Sequence, residues 1–234
     1  MTDATDSLVG VGLYTIPEAA RLARIPAARL RRWVRGYSYR VGDETHHSGP
    51  VWRPQLPAID QSIALGFLDL IEARFVNAFL AYGVSLPAVR LASERARELF
   101  NKDHPFATRR FRTDGRGIFA EITATDAKGE PKLLDLIRSQ FAFHTVVSPS
   151  LYAGLDFSDD DRVLRWYPVR RSKMVVLDPQ RAFGRPILRR EGVPTEVLTN
   201  AARVERSLER AARWYDVPVS AVRAAVAFEG TLKA

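Results

Sequence analysis

The sequence predicts a mainly helical chain with an α+β middle. Three observations lead there. Residues 14–35 read as two short helices around a proline break, apolar stripes at helical spacing run on to about residue 101, and three more helical segments follow Pro194. The expected architecture is a winged helix-turn-helix over 1–101, a small central α+β block over 102–172, and a C-terminal three-helix domain over 173–234.

The front helices carry the clearest signals. Thr15 is a good N-cap, Glu18 three residues on completes a capping box, and Pro17 sits in the first turn, where a missing N–H costs little. Ile25-Pro26 ends the first helix, because proline disfavours helical backbone in the residue before it. In the second helix Leu30, Trp33 and Val34 share one face, which makes Trp33 a core residue rather than a base stacker. At about 100° per residue, Arg31, Arg32 and Arg35 group on the other face, with Arg29 at the flank.

After Gly36, the alternation of Tyr37, Tyr39 and Val41, a polar turn over 43–49, and Val51-Trp52-Arg53 suggest a β-hairpin wing. Phe67, Leu68, Ile71, Phe75, Ala78, Phe79 and Tyr82 form the stripe of a long helix closed by Gly83. Ser85 caps the next helix, whose stripe is Val89, Ala92, Ala96, Leu99 and Phe100.

The middle changes character. Asp114-Gly115 predicts a hairpin joining 106–112 to 117–122, followed by a helix from Leu133 to Phe141. Strands over 151–157 and 163–168 flank the turn Ser158-Asp159-Asp160-Asp161. From Met174, strand-like Val175-Val176-Leu177 leads through Phe183-Gly184-Arg185-Pro186-Ile187 to helices near 194–202, 204–215 and 219–228. The middle one shows Val204, Leu208, Ala211, Ala212 and Tyr215 on one face. The last repeats the front's helix–proline–helix plan but carries only Arg223 amid alanine and valine, so it belongs in a core or against a protein.

Composition narrows the function. The net charge is +8 and 30 of the 35 basic residues are arginine, which favours a partner bearing phosphate or carboxylate groups. With no cysteine, disulfides, thiolate metal sites and cysteine nucleophiles are excluded, and a cytoplasmic setting is expected. No apolar run approaches the roughly 20 residues of a membrane helix. His46 and His47 are adjacent and so point to opposite faces of a strand, while His104 and His144 are isolated; surface or turn roles are expected for all four. The Asp156–Asp161 cluster lacks the glycine and glutamate of a calcium loop and reads as a solvated turn. Neither a phosphate loop nor a nucleophile–base spacing is present, so the chain is expected to be no enzyme and to need no metal or cofactor.

Tyr14-Thr15, Glu18-Ala19-Ala20, Leu30-Arg31-Arg32-Trp33, Phe67 to Glu72 and Tyr82 to Leu86 make residues 13–92 resemble the MerR-type winged helix-turn-helix. The resemblance implies groove reading by the second helix, phosphate contacts from the wing and a homodimer on a two-fold site. The chain departs from that family after residue 101, where no sustained heptad run follows.

Leu177-Asp178-Pro179, Phe183 to Ile187, Gly192-Val193-Pro194 and the segment 211–227 make residues 174–230 resemble the three-helix antitoxin domain that partners PIN-domain ribonuclease toxins. Arg189-Arg190-Glu191 stands where that family has a glycine-threonine turn. Together the two ends resemble a VapB-type antitoxin.

The expected function is therefore neutralisation of a PIN-domain ribonuclease toxin and autoregulation at promoter DNA. Arg29, Arg31, Arg32 and Arg35 are the groove candidates, with Arg40 and Arg53 on the wing as backbone contacts. Which of the four reads bases is open. The resemblance implies that Arg185, Arg189, Arg190, Arg203, Arg206, Arg210 and Arg213 face the toxin's carboxylates. Two alternatives stand beside this: a stand-alone regulator whose C-terminal part senses a ligand or partner, and a scaffold whose basic face meets RNA or an acidic protein.

Overall fold

In the computed structural model, residues 10–59, 61–112, 114, 115, 118 and 151–233 are described. The chain divides into two compact units. One is Tyr14–Ala153 with Phe157–Val163, and the other is Met1–Leu13 with Gly154–Asp156 and Leu164–Ala234. The described residues of 102–172 are thus shared between the two units.

The first unit starts with α1 (Ile16–Ala23) and α2 (Ala27–Arg35). The capping box forms in full: Thr15 N–H donates to Glu18 Oε2 at 2.8 Å, and Glu18 N–H donates to Thr15 Oγ1 at 3.3 Å. Arg24 takes left-handed backbone and returns its N–H to the last turn, so α1 stops before Pro26, which then opens α2. Leu30, Trp33 and Val34 are buried, as their spacing predicts.

Strands β1 (Tyr37–Val41) and β2 (Glu44–Ser48) form the hairpin, paired from Tyr37↔Ser48 to Val41↔Glu44. The second strand differs from the expected one. It lies within the segment read as a polar turn, because Gly42, at φ +62°, lets a two-residue loop reverse the chain at once. Val51 and Trp52, expected on the wing, are buried instead; Val51 N–H donates to Trp33 O at 2.7 Å.

Helix α3 (Phe67–Ala81) runs through the centre of this unit and α4 (Leu86–Phe100) follows, capped by Ser85. The α3 stripe was legible, yet Asp69 and Glu72 are buried with it. Asp69 accepts from Trp52 Nε1 at 2.9 Å, Gln55 N–H at 2.9 Å, Gly66 N–H at 2.7 Å and His104 Nε2 at 2.8 Å. Glu72 Oε1 accepts from Phe106 N–H at 2.9 Å. His104 is therefore no surface residue: it is buried as the partner of a carboxylate 35 residues away, a pairing that spacing along one helix does not reveal. Buried charge survives only when paired and hydrogen-bonded; Asp69 meets that condition, whereas the second oxygen of Glu72 has no hydrogen-bond partner among the described residues.

The predicted hairpin over 106–122 does not form where it is described. Pro105–Ala107 is a 3-10 turn, and residues 109–112, 114, 115 and 118 are helical. Thr108 starts this helix, its Oγ1 accepting from Phe111 N–H at 3.2 Å and donating to Pro105 O at 2.6 Å. Arg110 and Asp114 pair at i,i+4 spacing, 3.3 Å apart. Phe106 and Phe111, 4.6 Å apart between ring centres, pack with Phe79 in the core. That burial overrides the Asp-Gly turn signal. The expected strand residues 119–122, the helix 133–141 and His144 lie outside the described residues.

Strands β3 (Leu155–Phe157), β4 (Val163–Trp166), β5 (Val175–Leu177) and β6 (Pro186–Leu188) follow in the order β3-β4-β5-β6, with β5 antiparallel to its neighbours. Asp160 and Asp161 in the intervening turn face arginines, Arg162 at 3.1 Å and Arg109 at 3.8 Å. In the second unit, buried Asp178 accepts from Arg165 Nε at 2.8 Å.

Helices α5 (Thr195–Glu205), α6 (Leu208–Trp214) and α7 (Val219–Thr231) complete that unit. Val204 belongs to α5 and is exposed, rather than sharing the face of the next helix. Left-handed Arg206 breaks the chain after it, and Ser207 caps α6 by accepting from Arg210 N–H at 3.2 Å. The apolar helix α7 is internal: Ala221, Val222 and Ala225 form a core with Leu188, Leu198 and Ala211.

Candidate nucleic-acid interface

The α2 face opposite Leu30, Trp33 and Val34 exposes Arg29, Arg31, Arg32 and Arg35. An apolar back against α1 fixes the helix, so its four guanidinium groups share one scaffold. Among the described residues, none of Arg29, Arg31, Arg35 and Arg40 pairs with a carboxylate. Those four side chains are exposed to solvent.

Arg32 is engaged differently. Its guanidinium lies over the Tyr37 ring, 4.0 Å from the centroid, and so ties α2 to the first strand of the wing. Gly36 between them has φ +75°, and a Cβ there would overlap the Ser48 carbonyl. The helix-to-wing angle thus depends on a residue with no side chain. From α4, Arg90 donates to the Gly49 and Pro50 carbonyls, at 2.5 and 3.3 Å, and secures the wing's base. Sequence reasoning missed Arg90, for nothing local marks an arginine 40 residues downstream as a wing clasp.

Arg40 stands exposed on β1, where expected. Arg53 does not lie on the wing but in the loop beyond β2, near Gln55 and His104. The two wing histidines behave as the strand pattern predicts: His46 stacks on Tyr39, ring centres 5.5 Å apart, and His47 bonds Ser38 at 3.1 Å.

The arginines expected to face a toxin are all exposed on the second unit. Arg185, Arg190, Arg203, Arg206 and Arg213 make no carboxylate pair among the described residues. Arg189 lies over the Tyr167 ring at 5.7 Å, and Arg210 pairs with Glu205 at 3.7 Å. Near them stand apolar residues that a closed core would have covered, Trp214 on α6 at 74% exposed and Val204 on α5 at 72%. Trp214 lines a shallow cleft with Arg210 and Arg213. Among the described residues no group of three or more metal-ligating side chains gathers, and no helix is long and apolar enough to cross a membrane.

Comparison with known proteins agrees with this geometry. Residues 12–93 match a family described as "Putative DNA-binding HTH domain", so the front of the chain carries a helix-turn-helix domain of that kind. The chain is 28% identical over 227 residues to the "Putative antitoxin VapB45" of Mycobacterium tuberculosis, a match covering 92% of this chain and 93% of that protein. The crystal structure of Rv2018 from Mycobacterium tuberculosis shares the fold, with a TM-score of 0.70 and 23% identity over 93% of this chain and 99% of that one. The chain is thus similar at its front to a helix-turn-helix family and along nearly its whole length to that mycobacterial protein.

Proposed function

We propose that this protein is a VapB-type antitoxin that binds its own promoter through α2 and the wing and neutralises a PIN-domain ribonuclease through its C-terminal unit. The observation that carries the DNA half is the arginine face of α2, held rigidly by a buried leucine, tryptophan and valine. Its N-terminal part enters the major groove, where guanidinium forks suit guanine and phosphate alike. Arg29, Arg31 and Arg35 make the groove contacts; Arg32 shares its charge with Tyr37, and Arg40 contacts the backbone from the wing. A MerR-like homodimer on a two-fold site follows from the single groove-reading helix per chain. The protein acts in the cytoplasm and is not itself an enzyme.

Likeness to an antitoxin over 92% of the chain supports the toxin half. So does the exposure of Trp214 and Val204 among arginines. An aromatic anchor flanked by two guanidinium groups, those of Arg210 and Arg213, suits an interface with an acidic partner. Arg185, Arg189, Arg190, Arg203, Arg206, Arg210 and Arg213 would then meet the carboxylates of the toxin's metal site. The test is co-expression with a PIN-domain ribonuclease encoded beside this gene. The two should co-purify and the complex should lack ribonuclease activity, and Trp214→Asp with Val204→Asp should release the toxin. Co-purification unchanged by that pair would place the toxin surface elsewhere.

A further inference from the structure

The first unit holds a pocket of about 470 Å3 to which the DNA-facing surface has no claim. Its wall comes from four separated stretches: Arg53 and Gln55 from the loop after the wing, Leu68 from α3, Lys102, His104 and Thr108 from the segment after α4, and Arg162 just before β4. Three permanent cations therefore converge on it. The opposing wall charge is Asp103, while Asp160 pairs with Arg162 at 3.1 Å from outside the wall.

His104 makes this a prepared site rather than a dent. The side chain is more than nine-tenths buried, and Nε2 is committed to Asp69 at 2.8 Å. Asp69 in turn is saturated by Trp52, Gln55 and Gly66 and has no capacity to spare for a second group. The other ring nitrogen, Nδ1, has no hydrogen-bond partner among the described residues. A carboxylate that holds one nitrogen of an imidazole fixes the ring and favours its cationic form. Gln55 and Thr108 add neutral polar groups to the wall.

We propose that this pocket binds a small organic anion, with its carboxylate or phosphate group held by Arg53, Lys102 and His104. The volume is that of a metabolite site rather than of a single inorganic ion. Guanidinium and ammonium groups on one wall are the usual recognition elements for such groups. None of the α2 arginines lines the site, so its occupancy is separable from their contact with DNA. It also reads out on Trp52, whose indole N–H donates to the same Asp69 oxygen that takes His104.

The test follows the indole N–H signals of the 15N-labelled full-length protein at about 0.15 M salt, where loose surface attraction is largely screened. Trp52→Phe identifies the signal of Trp52. Citrate and glucose 6-phosphate are the probes, one for each anionic group, and glucose is the neutral control. At least one anion should shift the Trp52 signal saturably and raise Tm, with glucose inert. Arg53→Gln with Lys102→Gln should weaken that probe at least about tenfold, the loss expected of a charge-assisted contact, while leaving the unliganded Trp52 signal in place. The proposal is overturned if neither anion saturates, if glucose acts as glucose 6-phosphate does, or if the double variant binds as the parent does. Should the double variant unfold, Arg53→Gln alone, an exposed side chain, decides by the same readout.

Discussion

Asp69 is the residue on which the first unit turns. One carboxylate satisfies an indole, two backbone N–H groups and an imidazole, and so joins the post-wing loop, the start of α3 and the segment after α4. Asp69→Asn puts a donor where four donors already point. It should cost about 3 kcal/mol, the scale of breaking one side of a buried pair, read by denaturant melts. Glu72 works in the opposite sense. Burial pushes its carboxyl up to about 8, against the pull of His104 and two backbone N–H groups. Burial opposes the charged form of His104, yet the Asp69 hydrogen bond and the nearby carboxylates hold its imidazole above the ordinary value. Both groups thus keep protons in the folded state that the unfolded chain has released. Their contribution to stability is therefore fully present below pH 4.5, where an unfolded glutamate still holds its proton, and declines as pH rises toward about 8. Glu72→Gln should flatten most of that decline and raise Tm at pH 8; an unchanged pH profile would show Glu72 to be ionised throughout.

At the scale of elements, α1 and α2 were legible because their signals are local: a cap, a proline and an apolar stripe within 22 residues. The wing was half legible. The alternation of Tyr37, Tyr39 and Val41 gave its first strand, but the turn closed at Gly42 and moved the second strand back to 44–48. The helix after Thr108 was not legible, since burial of Phe106 and Phe111 against Phe79 decides it and no neighbour in sequence announces that contact. His104 was hidden for the same reason, because its partner lies on α3, 35 residues away. Gly36 connects the two best-read elements. Gly36→Ala forces a side chain into left-handed backbone and onto the Ser48 carbonyl. The expected cost is about 1–2 kcal/mol from the backbone alone, with more from the overlap, and promoter affinity should fall with it. Equal stability and equal affinity would show that the wing relaxes without consequence.

For the whole molecule, the two ends share a helix–proline–helix plan and use it differently. In the front unit the second helix buries its apolar face and presents arginine outward. In the back unit the corresponding helix is swallowed by its own core, and outward apolar character falls to Trp214 and Val204. That division suits a protein that holds DNA at one unit and a protein at the other. Binding of promoter DNA by the α2 face is the claim on which the rest depends. Arg31→Ala with Arg35→Ala removes two exposed charges and spares the Arg32–Tyr37 contact that holds the wing. Fluorescence anisotropy with labelled promoter DNA, at several salt concentrations, compares this variant with the parent. Promoter binding should fall at least about a hundredfold, with a shallower dependence on salt and an unaltered Tm. Promoter affinity and salt dependence equal to the parent's, in a variant of unaltered Tm, would contradict DNA binding by the α2 face.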